Sequence, residues 1–359
     1  MSITYTQWKR LAECAKLVGH HTVSLSHLKQ EMTSRKLPEL YDDCSKIRSD
    51  LLDATLHDVL PHQEYRIGKT RTFMPQSHHL IYFHPATRLS SLFPDGTDPL
   101  HSPGMPFTRR MWAGGDITFK GHLTFRDSAF LRCMESIKDV EIKGNEGDEK
   151  IFVTIERRIG WMPKSGKQSH PNVDDPVVEN RKLVFLRDRP RPLDMPSSAN
   201  HTIKHPHEPQ ARHTFIPSPA LLFRFSALTF NAHAIHLDKK YCQEVEGYRN
   251  LLVHGPLTVV LMLQYLTAYL HRRRRWNGKS QDQVIITFVT YRNLAPLYAE
   301  EEMTLCVRQK ETHLWETWIE GPDGGLAVRA SVRTAEEEPL KQKDSKKRDP
   351  MAKESSHQP

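Results

Sequence analysis

FRFSALTFNAHAIHLDKKYCQEVEGYRNLLVHGPLTVVLMLQYLTAYL occupies Phe223 to Leu270. Its first part is dense in small polar residues and histidine: Ser226, Thr229, Asn231, His233, His236 and Asp238. His254-Gly255-Pro256 then opens an apolar run from Leu257 to Leu270. Proline in a first turn followed by a long apolar run predicts a buried helix starting near Gly255. Neutral imidazole accepts a proton near pH 7, and its cation returns one. Backbone N–H groups at a helix start attract developing negative charge. Together these features suit proton abstraction beside a carbonyl, with the enolate oxygen held at the helix start.

Other readings of the same residues carry weight. The chain has 21 histidines, so the position of a histidine says more than its presence. His233 and His236 stand at i, i+3 and are compatible with a metal pair. No third or fourth ligand stands out and no CxxC pair exists, so no metal is expected. Gly255-Pro256 is also an ordinary helix start, which is compatible with an anion-holding role.

The 359 residues suggest two domains or one duplicated unit. A net charge of +8 gives a basic surface, which suits nucleic acid, anionic lipid, phosphorylated cofactors or an acidic protein. Five cysteines, at positions 14, 44, 133, 242 and 306, argue against a disulfide framework and fit a reducing compartment. No uninterrupted apolar stretch is long enough to span a membrane, because Gly255-Pro256 breaks the best candidate. Residues 1–20 carry Lys9, Arg10 and Lys16 against Glu13, a weak presequence signal equally readable as a first helix.

Residues 1–74 read as a polar, largely helical segment. From 61 to 107 the chain is rich in Pro, His and Gly, and is expected to wrap a core. Pro94-Asp95-Gly96-Thr97-Asp98-Pro99 is turn chemistry within it. Alternating apolar residues from Ile117 to Ile155, and again near Leu183, predict strands, with a hairpin turn at Lys143 to Asp148. A first domain is placed at 75–186, a Pro- and Arg-rich linker at 187–212, a second domain at 213–334 and a disordered tail at 335–359. Strand, turn and strand from Leu123 to Arg157 resemble in order those from Leu297 to Arg333. The strand at Lys150 is matched there to the strand at Leu326, which supports two copies of one α+β unit. Only the second copy keeps a long apolar helix, so the site is expected there.

SALTFNAHAIHLD followed by VHGPL resembles the MaoC-type hydratase/dehydratase family, and within it the mitochondrial 3-hydroxyacyl-thioester dehydratase type 2 and mesaconyl-C4-CoA hydratase subgroup. RRMWAGGDITF at 109–119 and YRNLAPLY at 291–298 resemble the same subgroup. The similarity covers roughly 75–335. It implies a double hotdog, two antiparallel sheets each wrapped on a central helix, with the first half degenerate and non-catalytic but helping to form the acyl tunnel. It implies His236 as acid/base and the Gly255 N–H as holder of the thioester oxygen. Broader relatives place an aspartate five residues before this histidine. Here Asn231 stands at that position, and an amide cannot shuttle a proton. His233 is the next candidate partner, with Asp238 as an orienting carboxylate and His254 beside the site.

The resemblance implies dehydration of (3R)-3-hydroxyacyl-ACP or -CoA to the trans-2-enoyl thioester, in mitochondrial fatty acid synthesis. No cofactor is expected beyond the CoA or phosphopantetheine carried by the substrate. The expected partners are the acyl thioester, an acidic acyl carrier protein and a second copy of the chain. His271 and Arg272 to Arg275 either meet that carrier or form a solvated helix end. A dicarboxylyl-CoA hydratase acting on mesaconyl- or itaconyl-CoA is the rival, and it needs a pocket cation such as Arg224 or Arg249. A non-catalytic thioester-binding scaffold is the alternative from another class. Nucleic-acid binding lacks interleaved aromatics and is not expected.

Overall fold

The computed structural model describes residues 25–61, 72–125, 130–162, 175–187, 203–276 and 283–337. The presequence-like residues 1–20, much of the linker and the tail beyond 337 lie outside them. Among the described residues there are ten strands: β1 Leu40–Asp42, β2 Arg109–Phe119, β3 Leu131–Lys143, β4 Lys150–Trp161, β5 Val177–Leu186, β6 Ala211–Phe215, β7 Gln283–Asn293, β8 Met303–Glu311, β9 Leu314–Glu320 and β10 Leu326–Glu337. The described α-helices of more than one turn are α1 Leu25–Thr33, α2 Lys46–Leu56, α3 Pro219–Leu228 and α4 Gly255–Trp276.

The strands form one sheet in the order β1-β3-β4-β5-β2-β7-β10-β9-β8-β6. Every pairing is antiparallel. The order is the same from either end once β1 to β5 are exchanged for β6, β7, β8, β9 and β10 in their matching places. The chain is therefore a double hotdog, two copies of one five-stranded unit, joined where β2 pairs with β7, with Gly115 opposite Tyr291. The symmetry corrects the strand matching expected from sequence. The Gly321–Gly325 turn leads from β9 into β10, so the Leu326 strand corresponds to β5 and not to the Lys150 strand. Gly-punctuated antiparallel strands look alike in one dimension; only hydrogen-bond pairing numbers them.

Alpha4 is buried on nearly all sides along its first half. Leu257, Val259, Val260, Leu261 and Met262 each show 0% exposure, which leaves that segment no solvent face. It packs against β7, β8 and β9 and reaches β2, as a helix wrapped by a curved sheet must. Its final turn is held to the sheet, with Arg273 donating to Gln309 at 2.7 Å and Arg274 pairing with Glu336 at 2.9 Å. Among the described residues no helix is long and apolar enough to cross a membrane.

Among the described residues the first half has no such helix before β2. A short 3₁₀ turn, His78–Ile81, stands there. Leu80, Ile81, Tyr82 and Phe83 are fully buried in the main core, so this part of 61–107 builds the core instead of wrapping it. Beta1 pairs with β3, Leu40 opposite Cys133, which draws part of the N-terminal segment into the first half-sheet. Alpha1 packs Leu28 and Met32 against Ile137, Val140 and Val153 in a second cluster. Beta10 continues to Glu337, beyond the expected start of the tail at 335.

Candidate active site

The histidine segment is shaped by the end of α3. Ser218 caps that helix through the Leu221 N–H, and Pro219 opens it. The helix stops at Leu228. Phe230 takes a φ of 49°, and the Asn231 N–H returns to the Ser226 carbonyl at 2.9 Å. Asn231 then uses its side-chain oxygen to accept the His233 N–H at 3.0 Å. A 3₁₀ turn, Ala234–His236, follows.

His236 is fixed at one ring nitrogen. Its Nδ1–H donates to the Leu252 carbonyl at 2.8 Å. The Leu252 N–H in turn donates to Ile235 at 2.9 Å. This pairing sets the tautomer, leaving Nε2 as the free basic nitrogen. The His254 ring stacks on it, with centroids 3.6 Å apart and planes 22° apart. His254 Nε2 lies 2.8 Å from the Ser226 hydroxyl. His233 stands edge-on to His236, with centroids at 5.5 Å.

All three imidazoles are buried, and burial favours their neutral forms. It lowers His236 to about 4, with the Arg110 charge adding to the effect against the Leu252 bond. It also holds His233 and His254 well below their ordinary value, His236 contributing to both. The cluster is therefore a set of neutral bases at physiological pH.

His254 leads directly into α4. A side chain at Gly255 would place its Cβ 2.7 Å from Trp112 Cβ and 2.9 Å from Asn293 Nδ2. Asn293 Nδ2 donates to the Trp112 carbonyl at 2.7 Å, and Trp112 Nε1 donates to the Tyr291 hydroxyl at 2.9 Å. The blocks at 109–119 and 291–298, far apart in sequence, thus close around the helix start. Glycine there lets other groups approach the first-turn N–H donors, which have no acceptor within the helix.

The structure brings Asn231, His233, His236, His254 and Gly255 together. Asp238 is not with them. It is exposed and caps the following helical turn by accepting the Tyr241 N–H at 3.0 Å, so it does not orient His233. Arg224 is exposed, and Arg249 is turned outward onto Glu301 and the Tyr298 ring.

Three neighbours gain a place at the site only in the folded chain. Arg110 is half-buried and holds Asp98 at 3.3 Å, and its charge reaches both His233 and His236. Ser226 is noticeable only as a polar residue, because its helix hides its partner. Asp95 Oδ2 lies 3.4 Å from His233 Nε2. Its only sequence signal is a turn, some 140 residues before its partner. Among the described residues no group of three or more His, Cys, Asp or Glu is placed to hold a metal ion.

A double hotdog with stacked, neutral histidines at the start of its long helix defines a class: a hotdog protein with a buried imidazole cluster at its central helix. The family model for hydroxyacyl-thioester dehydratase type 2 matches residues 77–299, more than half the chain, and the chain belongs to that family. It is 32% identical to the mesaconyl-C(4)-CoA hydratase of Chloroflexus aurantiacus, over 72% of this chain and 83% of that protein. It is 28% identical to the mitochondrial hydroxyacyl-thioester dehydratase type 2 of Schizosaccharomyces pombe, over 77% of this chain and 91% of that one. A crystal structure of a MaoC-like dehydratase from Phytophthora capsici shares the fold with a TM-score of 0.54 at 9% identity, covering 85% of this chain and 98% of that one.

Proposed function

We propose that this protein is a hydro-lyase that interconverts (3R)-3-hydroxyacyl thioesters and trans-2-enoyl thioesters plus water. The observation that carries this reading is His236: Nδ1–H is bound to the Leu252 carbonyl, Nε2 is free, and the ring lies beside the start of α4. In the dehydration direction, Nε2 takes the proton from the carbon next to the thioester carbonyl. Negative charge collects on the thioester oxygen, where the N–H groups of the first turn from Gly255 stabilise it. The hydroxyl leaves the next carbon and gains the proton that Nε2 took, so one water departs and the imidazoles return to neutral. No cofactor enters this proton balance; the acyl group arrives on CoA or phosphopantetheine.

Membership of a family with mitochondrial relatives supports a mitochondrial location and a role in fatty acid synthesis on an acyl carrier protein. The +8 net charge suits an acidic carrier or the CoA phosphates. Arg110 favours a second substrate reading. As a half-buried cation near the histidines, it suits the free carboxylate of a dicarboxylyl-CoA.

Loss of enoyl absorbance on hydrating crotonyl-CoA tests the reaction, with mesaconyl-CoA as the comparison. His236→Ala is expected to lower kcat by about 10²- to 10⁴-fold in protein that remains folded by circular dichroism. Wild-type turnover in that variant refutes the assignment.

A further inference from the structure

Asn231 leaves the acid/base site short of a carboxylate, yet one is present. Asp95 sits on the Pro94–Asp98 turn of the first half and is only 5% exposed. One of its oxygens, Oδ1, is held by the Thr97 N–H at 3.0 Å and the Thr97 hydroxyl at 2.7 Å. That leaves Oδ2 facing His233 Nε2 at 3.4 Å. The turn is docked tightly on the histidine loop. The Asp95 carbonyl accepts the Ala234 N–H at 2.8 Å. Gly96, at a φ of +83°, comes so close that a Cβ there would lie 2.1 Å from the Ala232 carbonyl oxygen.

We infer that Asp95 of the non-catalytic half is the positioning carboxylate of this site: it fixes His233 with its proton on Nε2, so that His233 presents Nδ1 as the acid/base partner of His236. This rests on the hydro-lyase reading above. The other carboxylates nearby are engaged elsewhere: Asp238 in its cap, Glu246 with Arg109 at 2.6 Å, and Asp98 with Arg110. The charged and titratable groups around the pair include His236, His254, Arg110 and Tyr241. The proton that His236 Nε2 takes from the substrate carbon passes to His233 Nδ1, and the imidazolium so formed meets a buried carboxylate in a low-dielectric setting, where their attraction is strong. The proton then passes to the departing hydroxyl. The carboxylate that the second half lacks at Asn231 is thereby supplied by the first half.

The test combines Asp95→Asn, His233→Gln and the double variant with ring ¹⁵N spectra of the full chain. Asparagine keeps an oxygen for Thr97, removes the charge and puts an NH2 donor where Oδ2 faced His233. Asp95→Asn is expected to lower kcat by about 10²-fold with little change in KM. Because Asp95 acts through His233, the double variant should be no slower than His233→Gln alone. Purely structural roles would instead give additive losses. The spectra need no activity: wild-type His233 should carry its proton on Nε2, and Asp95→Asn should mix the tautomers. Wild-type kcat in Asp95→Asn, or a wild-type His233 protonated on Nδ1, overturns the inference. A wild-type protein inert toward enoyl thioesters defeats the reaction assignment, while the spectra still decide the Asp95–His233 pairing.

Discussion

Gly255→Ala separates helix stability from catalysis. On an open helix, alanine would be neutral or better than glycine by up to about 1 kcal/mol. Here the new Cβ meets Trp112 Cβ at 2.7 Å, Trp112 Cγ at 2.9 Å and Asn293 Nδ2 at 2.9 Å. Ordinary carbon contacts lie at about 3.5–4.0 Å, so the helix start or its wall must shift by about 1 Å. The wall resists. Trp112 is bonded to Tyr291 through its ring and to Asn293 through its carbonyl, and the Arg181 guanidinium lies 4.9 Å from the Trp112 ring centre. Overpacking of this kind costs about 1–3 kcal/mol of stability. A displacement of about 1 Å at the reacting centre costs about 10²-fold in rate, or about 2.7 kcal/mol of transition-state stabilisation. Crotonyl-CoA hydration and urea denaturation on the same samples measure both effects. Wild-type kcat/KM, or a variant more stable than wild type, refutes the argument that the helix start holds the thioester oxygen.

Acid should act on stability before it acts on the site. His236 is lowered from 6.5 to about 4 and His79 likewise to about 4, in both cases chiefly by burial. The unfolded chain therefore binds protons that the fold excludes. Their stability contribution is complete above about pH 6.5 and is lost as pH falls toward 4, which urea midpoints across that window will show. For the same reason kcat/KM should stay level from about pH 8 to about pH 6; a limb centred at the ordinary histidine value contradicts a buried base. Gly96→Ala forces a Cβ to 2.1 Å from the Ala232 oxygen at a φ of +83°. It should cost about 1–3 kcal/mol in urea denaturation and lower kcat, since it lifts the Asp95 turn from the histidine loop. Arg157 is fully buried and pairs with Glu135 at 2.6 Å and Glu179 at 3.1 Å. Arg157→Met leaves two buried carboxylates without it, and should cost about 3–5 kcal/mol; an unchanged denaturation midpoint would contradict that.

The sequence by itself determined the long helix, because an apolar run after Gly255-Pro256 has one stable placement, inside a sheet. It also determined which histidines gather before that helix, since turn residues, α3 and the helix start are local in the chain. Duplication was legible in the repetition of strands, but their matching was not, because pairing is a relation between distant segments. Asp238 illustrates the limit on the site. It lies two residues from His236 in sequence, yet its carboxylate accepts the Tyr241 N–H that opens the next helical turn. Asp95 is far away in sequence, and reaches His233 because a glycine turn lets two backbones approach to within a side chain's width. Burial and hydrogen-bond satisfaction, which set the tautomers and protonation of the histidines, are properties of the packed interior. Only the tertiary structure decided them, and with them which carboxylate serves the site.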